Sequence, residues 1–136
     1  MAPRARIGYQ FSDGSVLSVY HHYDGYPEWL GKILVEHYNT KRTASQLIDG
    51  GDLSCAWSDE NWDGTTKVSP GPLYYNDRGE TTIPRFDDTL EGCLENSEEF
   101  CYIFRDDKWV CYDTKEWSEG YKQLVGIPSG DTVDEE

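Results

Sequence analysis

The chain has 136 residues, of which 26 are acidic and 12 are basic, so its net charge is −14 at pH 7. Binding to nucleic acid depends on Lys and Arg side chains that neutralise phosphates, and this balance of charge argues against it. No stretch approaches the ~20 apolar residues of a membrane helix, and no apolar run follows the basic N-terminus. We therefore expect a soluble, cytoplasmic protein without membrane contact.

The length and the aromatic content of 14% predict one folded domain, which we assign to residues 1–128. The remaining residues, 129–136, are polar and acidic. We expect them to form a disordered tail, because segments of this composition bury too little apolar surface to fold.

The chain opens with a predicted β-hairpin. Residues 7–11 and 16–22 have the alternating and aromatic pattern of strands, and Asp13 and Gly14 between them are a strong turn signal. The two strands are therefore expected to pair antiparallel.

Two helices are predicted next. Pro27 suits the first position of a helix, and apolar side chains recur at helical spacing over residues 30–38. Thr40 can cap a second, shorter helix, whose apolar stripe lies within residues 44–48 and which ends at Gly50.

The middle of the chain gives weaker signals. Residues 58–71 are polar and rich in turn-forming side chains, which predicts an irregular loop, and residues 73–75 suit a short strand. Residues 81–86 are expected to form an edge strand or a loop and not a central strand, because Pro84 has no N–H to donate to a neighbouring strand. The acidic residues 87–99 show no clear periodicity.

A second hairpin is predicted nearer the C-terminus, where residues 100–105 and 108–112 form strands across a two-residue turn. Beyond it, apolar residues at helical spacing predict a short helix over residues 117–124. Hairpins and helices that do not alternate as βαβ units predict an α+β fold. We expect an antiparallel sheet built from hairpins, with two or three helices packed on one face.

The densest aromatic cluster, residues 20–29, runs from the end of a predicted strand to the start of a predicted helix. Unpaired backbone N–H groups at a helix start attract anions, and aromatic rings beside them can stack on a base. Tyr and Trp at such a junction more often pack in a core or form a hydrophobic staple. The residue types alone leave both interpretations open.

Signals of metal binding and catalysis are weak. His21 and His22 are neighbours on a strand and point to opposite faces, which argues against a shared metal ion. The four cysteines form no Cys-x-x-Cys pair, and we expect reduced, buried side chains, although Cys101 and Cys111 fall on adjacent strands and could lie close together. Neither a Gly-x-Ser-x-Gly elbow nor a Gly-rich phosphate loop is present. We predict a binding protein, not an enzyme, without a metal or other cofactor.

Basic residues are scarce and therefore more informative than acidic ones. An anionic ligand would need cations gathered locally against the acidic background, and the candidates are Arg78, Arg85 and Arg105. Each can equally form a structural ion pair with an acidic neighbour.

Six short motifs occur in an order that resembles a group of small proteins encoded by bacteriophages. They are Ser18-Val19-Tyr20, His22-Tyr23-Asp24-Gly25-Tyr26-Pro27, Gly31-Lys32-Ile33-Leu34, His37-Tyr38, Gly51-Asp52-Leu53-Ser54 and Asp77-Arg78-Gly79-Glu80. The match covers residues 7–80 and 102–112. The sequence departs from the group's pattern at Tyr23, where Trp is expected, and at Asn76, where a second Arg often stands.

This group is similar to the Thoeris anti-defence sponge proteins of the first type, which sequester cyclic ADP-ribose-type immune signals without cleaving them. The resemblance implies a phage protein that acts in the host cytoplasm as a homo-oligomer and binds a nucleotide-derived signal. It implies a ligand held by His22, Tyr23, Asp24, Tyr26 and Trp29, with Arg78 or Arg105 facing its pyrophosphate.

The negative charge supports a different hypothesis. An acidic surface can imitate nucleic acid and occupy a basic groove on a host defence protein, such as a nuclease or a CRISPR effector. A third hypothesis is a hydrolase of the signal molecule, for which the sequence offers no catalytic constellation.

Overall fold

The computed structural model describes residues 4–114 and 122–124. Its strands are β1 (Ala5–Gln10), β2 (Val16–His21), β3 (Leu53–Glu60), β4 (Thr66–Tyr74), β5 (Arg85–Asp87), β6 (Phe100–Arg105), β7 (Lys108–Asp113) and β8 (Lys122–Leu124). Its helices are α1 (Lys32–His37), α2 (Lys41–Asp49) and α3 (Leu90–Glu95), with a π-helical turn at Pro27–Gly31 and a 3-10 turn at Tyr75–Arg78. Among the described residues, all eight strands form one sheet in the order β4-β3-β2-β1-β6-β7-β8, and β5 pairs with β2.

The predicted α+β class is confirmed, but the sheet is mixed where a fully antiparallel one was predicted. Both predicted hairpins, β1–β2 and β6–β7, are present and antiparallel. They join through β1 and β6, which run parallel, with Ile7 opposite Tyr102. A second parallel contact joins the end of β2 to the start of β3, with His21 opposite Leu53. Both parallel pairs connect strands that are separated by helices, which lets the chain return in the same direction.

The helices lie on both faces of the sheet, so the prediction that they share one face was wrong. α1 and α2 cover a larger core built on Ala5, Ile7, Tyr102 and Phe104. α3 contributes Cys93 and Leu94 to a smaller core on the opposite face, together with the side chains of β2, β6 and β7 that point that way: Val16, Cys101, Ile103, Val110 and Tyr112. Because successive strand residues alternate between faces, both cores use the same central strands.

The turns of the two predicted hairpins have clear local causes. Gly14 has φ 94°, and the Asp13 side chain accepts hydrogen bonds from the backbone N–H and the hydroxyl of Ser15. Asp106 and Asp107 have φ 53° and 63°, and they connect β6 to β7 as a two-residue turn. Positive φ at both turn residues matches the twist of the flanking strands.

The predicted helix after Pro27 is divided into the π-helical turn and α1. Pro27 occupies the first position of the π-helical turn, as predicted. The second helix follows the prediction closely: the Thr40 hydroxyl accepts from the N–H of Thr43, and the side chain of Thr43 accepts from the N–H of Thr40. This reciprocal capping satisfies two N–H groups that would otherwise lack partners.

The prediction of an irregular loop over residues 58–71 was wrong, because this segment belongs to the β3–β4 hairpin. The hairpin turns at residues 61–65, where the N–H of Asn61 donates to the carbonyl of Thr65 and Gly64 has φ 88°. No side chain of β4 is fully buried, and its pairing with β3 has register shifts. An exposed, irregular ribbon lacks the apolar alternation that identifies a strand in a sequence.

The later predictions have mixed outcomes. The segment without periodicity, residues 87–99, contains α3. Residues 122–124 form β8, which pairs with β7. The helix predicted over residues 117–124 is therefore wrong for its last three residues, and residues 117–121 lie outside the described part. The predicted tail, residues 129–136, also lies outside it. None of the described helices is long and apolar enough to cross a membrane.

The four cysteines are free and buried, as expected. Cys101 and Cys111 are on neighbouring strands, but Cys101 stands opposite Tyr112 and Cys111 opposite Tyr102. The two thiols therefore belong to opposite faces of the sheet, Cys111 in the larger core and Cys101 in the smaller one.

Candidate ligand-binding groove

The segment after β2 is held in place by the backbone of β3. The N–H of His22 donates to the carbonyl of Leu53, and the N–H of Tyr23 donates to the carbonyl of Ser54, each at 3.0 Å. These bonds continue the parallel β2–β3 contact beyond the end of β2. The position of Tyr23 is therefore determined by the sheet and not by a free loop.

The chain then turns sharply at Asp24 and Gly25. Asp24 has φ 45°, an uncommon conformation for a residue with a side chain. A Cβ atom at Gly25 would lie 2.7 Å from the Cβ of Ala5 and 3.1 Å from its backbone N, so only glycine fits. The buried hydroxyl of Tyr102 donates to the carbonyl of Gly25 at 2.7 Å, which fixes the turn against the sheet.

Two pairs of aromatic rings line a groove beside this turn. The rings of Tyr23 and Trp29 meet edge to face at 5.4 Å, and those of His37 and Trp57 stack at 3.7 Å with an angle of 6° between their planes. All four side chains line one cavity of about 730 Å³. We call this cavity the aromatic groove. Its volume is within the range of cavities that bind small ligands.

Sequence spacing accounts for one wall of the aromatic groove. Trp29, Ile33 and His37 are four residues apart and lie on successive turns of the helical segment, so their side chains share a face. The opposite wall includes Trp57 from β3. The sequence interpretation missed His37, Ile33 and Trp57 as site residues. The four-residue repeat could have revealed the first two, whereas only the β2–β3 pairing brings Trp57 close.

The charged side chains of the aromatic groove are acidic. Glu36, Asp59 and Glu60 are among its lining residues, and within the described part of the chain these include no Lys or Arg. The Glu36 carboxylate lies 3.9 Å from Nε2 of His37. A ligand in this groove therefore meets aromatic rings and carboxylates, and an anionic group would be repelled from its interior.

His21 packs next to Trp29, one of the aromatic residues of the groove. Its ring is fully buried and lies 6.2 Å from the Trp29 ring, and its Nε2 accepts a hydrogen bond from the N–H of Ala56 at 2.9 Å. Burial, with a smaller contribution from His22, lowers the pKa of His21 from 6.5 to about 3. The imidazole is therefore neutral near pH 7 and connects β2 to β3 as a structural acceptor.

The structure brings together only part of the predicted site. Tyr23 and Trp29 line the aromatic groove. His22 is exposed, and its Nδ1 shares a hydrogen bond of 2.7 Å with the hydroxyl of Tyr20. Asp24 and Tyr26 are half-buried and do not line the groove, and Tyr26 packs against the larger core.

Arg78 lies apart from the aromatic groove. Its guanidinium stands 4.5 Å from the centre of the Trp62 ring and 5.1 Å from that of Tyr75, and it pairs with Glu80. Arg85 also has structural partners, since its Nε donates to Asp87 at 2.9 Å. Neither arginine faces the rings of the groove.

Arg105 belongs to a second groove of about 650 Å³, near the β1–β2 and β6–β7 turns. This groove is also lined by Lys41, Tyr9 and Phe11. The Arg105 guanidinium lies 5.8 Å from the Tyr112 ring. The structure thus separates Arg105 from Tyr23 and Trp29, with which the sequence interpretation had combined it.

The described residues contain no candidate metal site. No group of three or more His, Cys, Asp or Glu side chains in the described part is arranged to hold an ion. The aromatic groove could hold a ligand by a different chemistry, through ring stacking and hydrogen bonds to carboxylates.

Comparison of the sequence with protein-family models and curated proteins, and of the structure with solved structures, gave no significant match. The resemblance to phage-encoded sponge proteins thus remains a prediction that rests on the six sequence motifs.

Proposed function

We propose that the protein binds and sequesters a nucleotide-derived small molecule, with its planar base in the aromatic groove, and does not cleave it. The observation that carries the proposal is the convergence of Tyr23, Trp29, His37 and Trp57 on one cavity. Stacking of a base on an aromatic side chain contributes roughly 1–3 kcal/mol, and it depends little on which base is present.

The carboxylates of the groove are compatible with the rest of such a ligand. Glu36, Asp59 and Glu60 can accept hydrogen bonds from ribose hydroxyls and from amino groups of a base. The phosphates would then remain at the groove mouth in solvent. This differs from the arrangement expected from the resemblance, because Arg78 and Arg105 lie outside the groove.

The biological role that we propose follows the sequence resemblance. A phage protein that holds a cyclic ADP-ribose-type signal in this way would suppress host antiviral signalling in the host cytoplasm. Assembly into a homo-oligomer belongs to the same proposal.

Isothermal titration of the protein with cyclic ADP-ribose isomers tests the binding step. We expect saturable binding that Tyr23→Ala weakens by about 5- to 150-fold, which corresponds to 1–3 kcal/mol of stacking. Phe86→Ala is the matched control, because Phe86 is 57% exposed, similar to Tyr23 at 52%, and lies outside the groove. Absence of binding heat with every isomer would refute the proposal.

Recovery of the ligand after heat denaturation separates sequestration from hydrolysis. Chromatography of the released molecule should show the intact starting compound. A cleaved product that accumulates with time would show an enzyme and contradict the proposed role.

A second candidate function is supported by the surface around α3. The exposed carboxylates of Asp88, Glu91, Glu95 and Glu99 follow one another along residues 87–99. Within the described residues, none of these four forms an ion pair. Such a surface suits the basic groove of a host nuclease or CRISPR effector.

Co-purification with host proteins distinguishes the two candidates. Docking through α3 predicts capture of one host protein, which is released by raised salt and is lost when Glu91 and Glu95 are replaced by Gln. Sequestration of a small molecule predicts no such capture, and it predicts that the Glu91→Gln, Glu95→Gln variant still binds the ligand.

A further inference from the structure

The aromatic groove has an unusual balance of charge for a site that is proposed to hold a nucleotide derivative. Three carboxylates, those of Glu36, Asp59 and Glu60, are among its lining residues, whereas no Lys or Arg among the described residues lines it. The ammonium of Lys67, on β4, donates to the carbonyls of Gly71 and Pro72 at 3.2 and 2.9 Å, and its positive charge acts on Cys55, a lining residue of the groove. The three carboxylates outnumber this one cation, so the formal charges at the groove favour a cationic ligand over an anionic one.

The aromatic rings of the groove also favour a positively charged ligand. The face of an indole or phenol ring carries negative charge density, and a cation over it is attracted most strongly where water is partly excluded. Trp29 and Trp57 are half-buried against the larger core, so their surroundings shield less than bulk water. Rings and carboxylates thus act on a cation in the same direction.

We propose that the aromatic groove selects ligands whose planar ring carries a positive charge, such as an N-alkylated purine nucleoside. The inference rests on the proposed function, because it concerns the ring that this groove binds. A neutral base gains stacking alone, whereas a cationic base gains stacking, attraction to the ring faces and attraction to the three carboxylates. The anionic part of a nucleotide ligand lies outside the groove for the same reason.

Two methylated adenosines provide a matched test. 1-Methyladenosine is cationic at neutral pH, whereas its isomer N6-methyladenosine has the same mass and is neutral. We expect 1-methyladenosine to bind about 5- to 30-fold more tightly in isothermal titration at pH 7 and low salt. The ratio should decrease as salt is raised, because partly exposed charges are screened.

Charge-neutralising variants identify the carboxylates responsible. The double variant Glu36→Gln, Asp59→Asn should reduce the ratio between the two isomers to about 2-fold or less. Asp88→Asn, Glu91→Gln removes two charges at α3 and is the control, which should leave the ratio unchanged. Thermal unfolding of each variant confirms that it is folded before its titration is interpreted.

Three outcomes would overturn the inference. Equal binding of the two isomers would refute the charge selection while leaving the stacking of a ring in the groove intact. An unchanged ratio in the Glu36→Gln, Asp59→Asn variant would refute the role of the carboxylates. Absence of binding by both isomers would refute the inference, and the titration with cyclic ADP-ribose would then decide the proposed function separately.

Discussion

Replacement of Tyr102 by Phe removes a single oxygen atom that connects the sheet to the turn beside the aromatic groove. The Tyr102 side chain is fully buried, and its hydroxyl donates to the carbonyl of Gly25 at 2.7 Å. Burial raises the pKa of this hydroxyl far above its ordinary value, so it remains a donor at every relevant pH. The variant keeps the ring and leaves the carbonyl of Gly25 without its partner.

The magnitude follows from the burial of that carbonyl. A buried acceptor that loses its donor costs about 1–3 kcal/mol of the free energy of unfolding. For a chain of 136 residues, each kcal/mol shifts the unfolding temperature by about 3–5 °C. We therefore expect the Tyr102→Phe variant to melt about 3–15 °C below the parent protein.

Chemical denaturation and thermal unfolding measure this difference. Tyr20→Phe is the control, because its hydroxyl bonds to the exposed ring of His22 and its loss should change the free energy of unfolding by less than about 0.5 kcal/mol. Amide exchange at residues 22–26 should accelerate only in Tyr102→Phe. Equal stability of Tyr102→Phe and the parent would refute the reasoning that this bond holds the turn.

Three further predictions concern stability. Gly25→Ala should lower the free energy of unfolding by about 1–3 kcal/mol in urea titrations, because the new Cβ would stand 2.7 Å from that of Ala5; unchanged stability would contradict this close packing. Lowering the pH from 7 to 5 should cost about 2 kcal/mol, since the unfolded chain protonates His21 below its ordinary pKa of 6.5 while burial holds its folded pKa at about 3. This contribution of His21 to the free energy of unfolding is present above pH 6.5 and is lost as the pH falls towards 3. The His21→Gln variant should show a smaller change in the free energy of unfolding between pH 7 and pH 5. Equal stability of the parent protein at the two pH values would contradict the prediction. Thr40→Ala should cost about 1 kcal/mol through loss of the α2 cap, and a null effect would show that Thr43 and solvent replace it.

Local signals made the two hairpins and α2 predictable from the sequence. Positive φ at Gly14 and at Asp106 and Asp107 is a property of the turn residues themselves, and the capping side chain of Thr40 lies three residues from its partner. Such features require no knowledge of distant segments. Their prediction succeeded because local preference and final fold agree at these positions.

The aromatic groove was only partly predictable, because its walls come from segments far apart in the chain. Tyr23 and Trp29 are members of a dense aromatic cluster in the sequence, whereas Trp57 is 28 residues beyond Trp29 and has no other aromatic residue close to it on its N-terminal side. The short parallel contact between β2 and β3 brings them together. Grouping Arg105 with Tyr23 failed for the same reason, since proximity across strands depends on topology and not on residue type.

The claim that the aromatic groove is the ligand site can be tested most directly through the indole N–H resonances of the five tryptophans. Titration with cyclic ADP-ribose should shift the signals of Trp29 and Trp57 in a saturable manner. The signal of Trp109 should stay in place, because its indole N–H is buried and donates to the carbonyl of Tyr38. A shift confined to Trp62, beside Arg78, or no shift at all, would contradict the account.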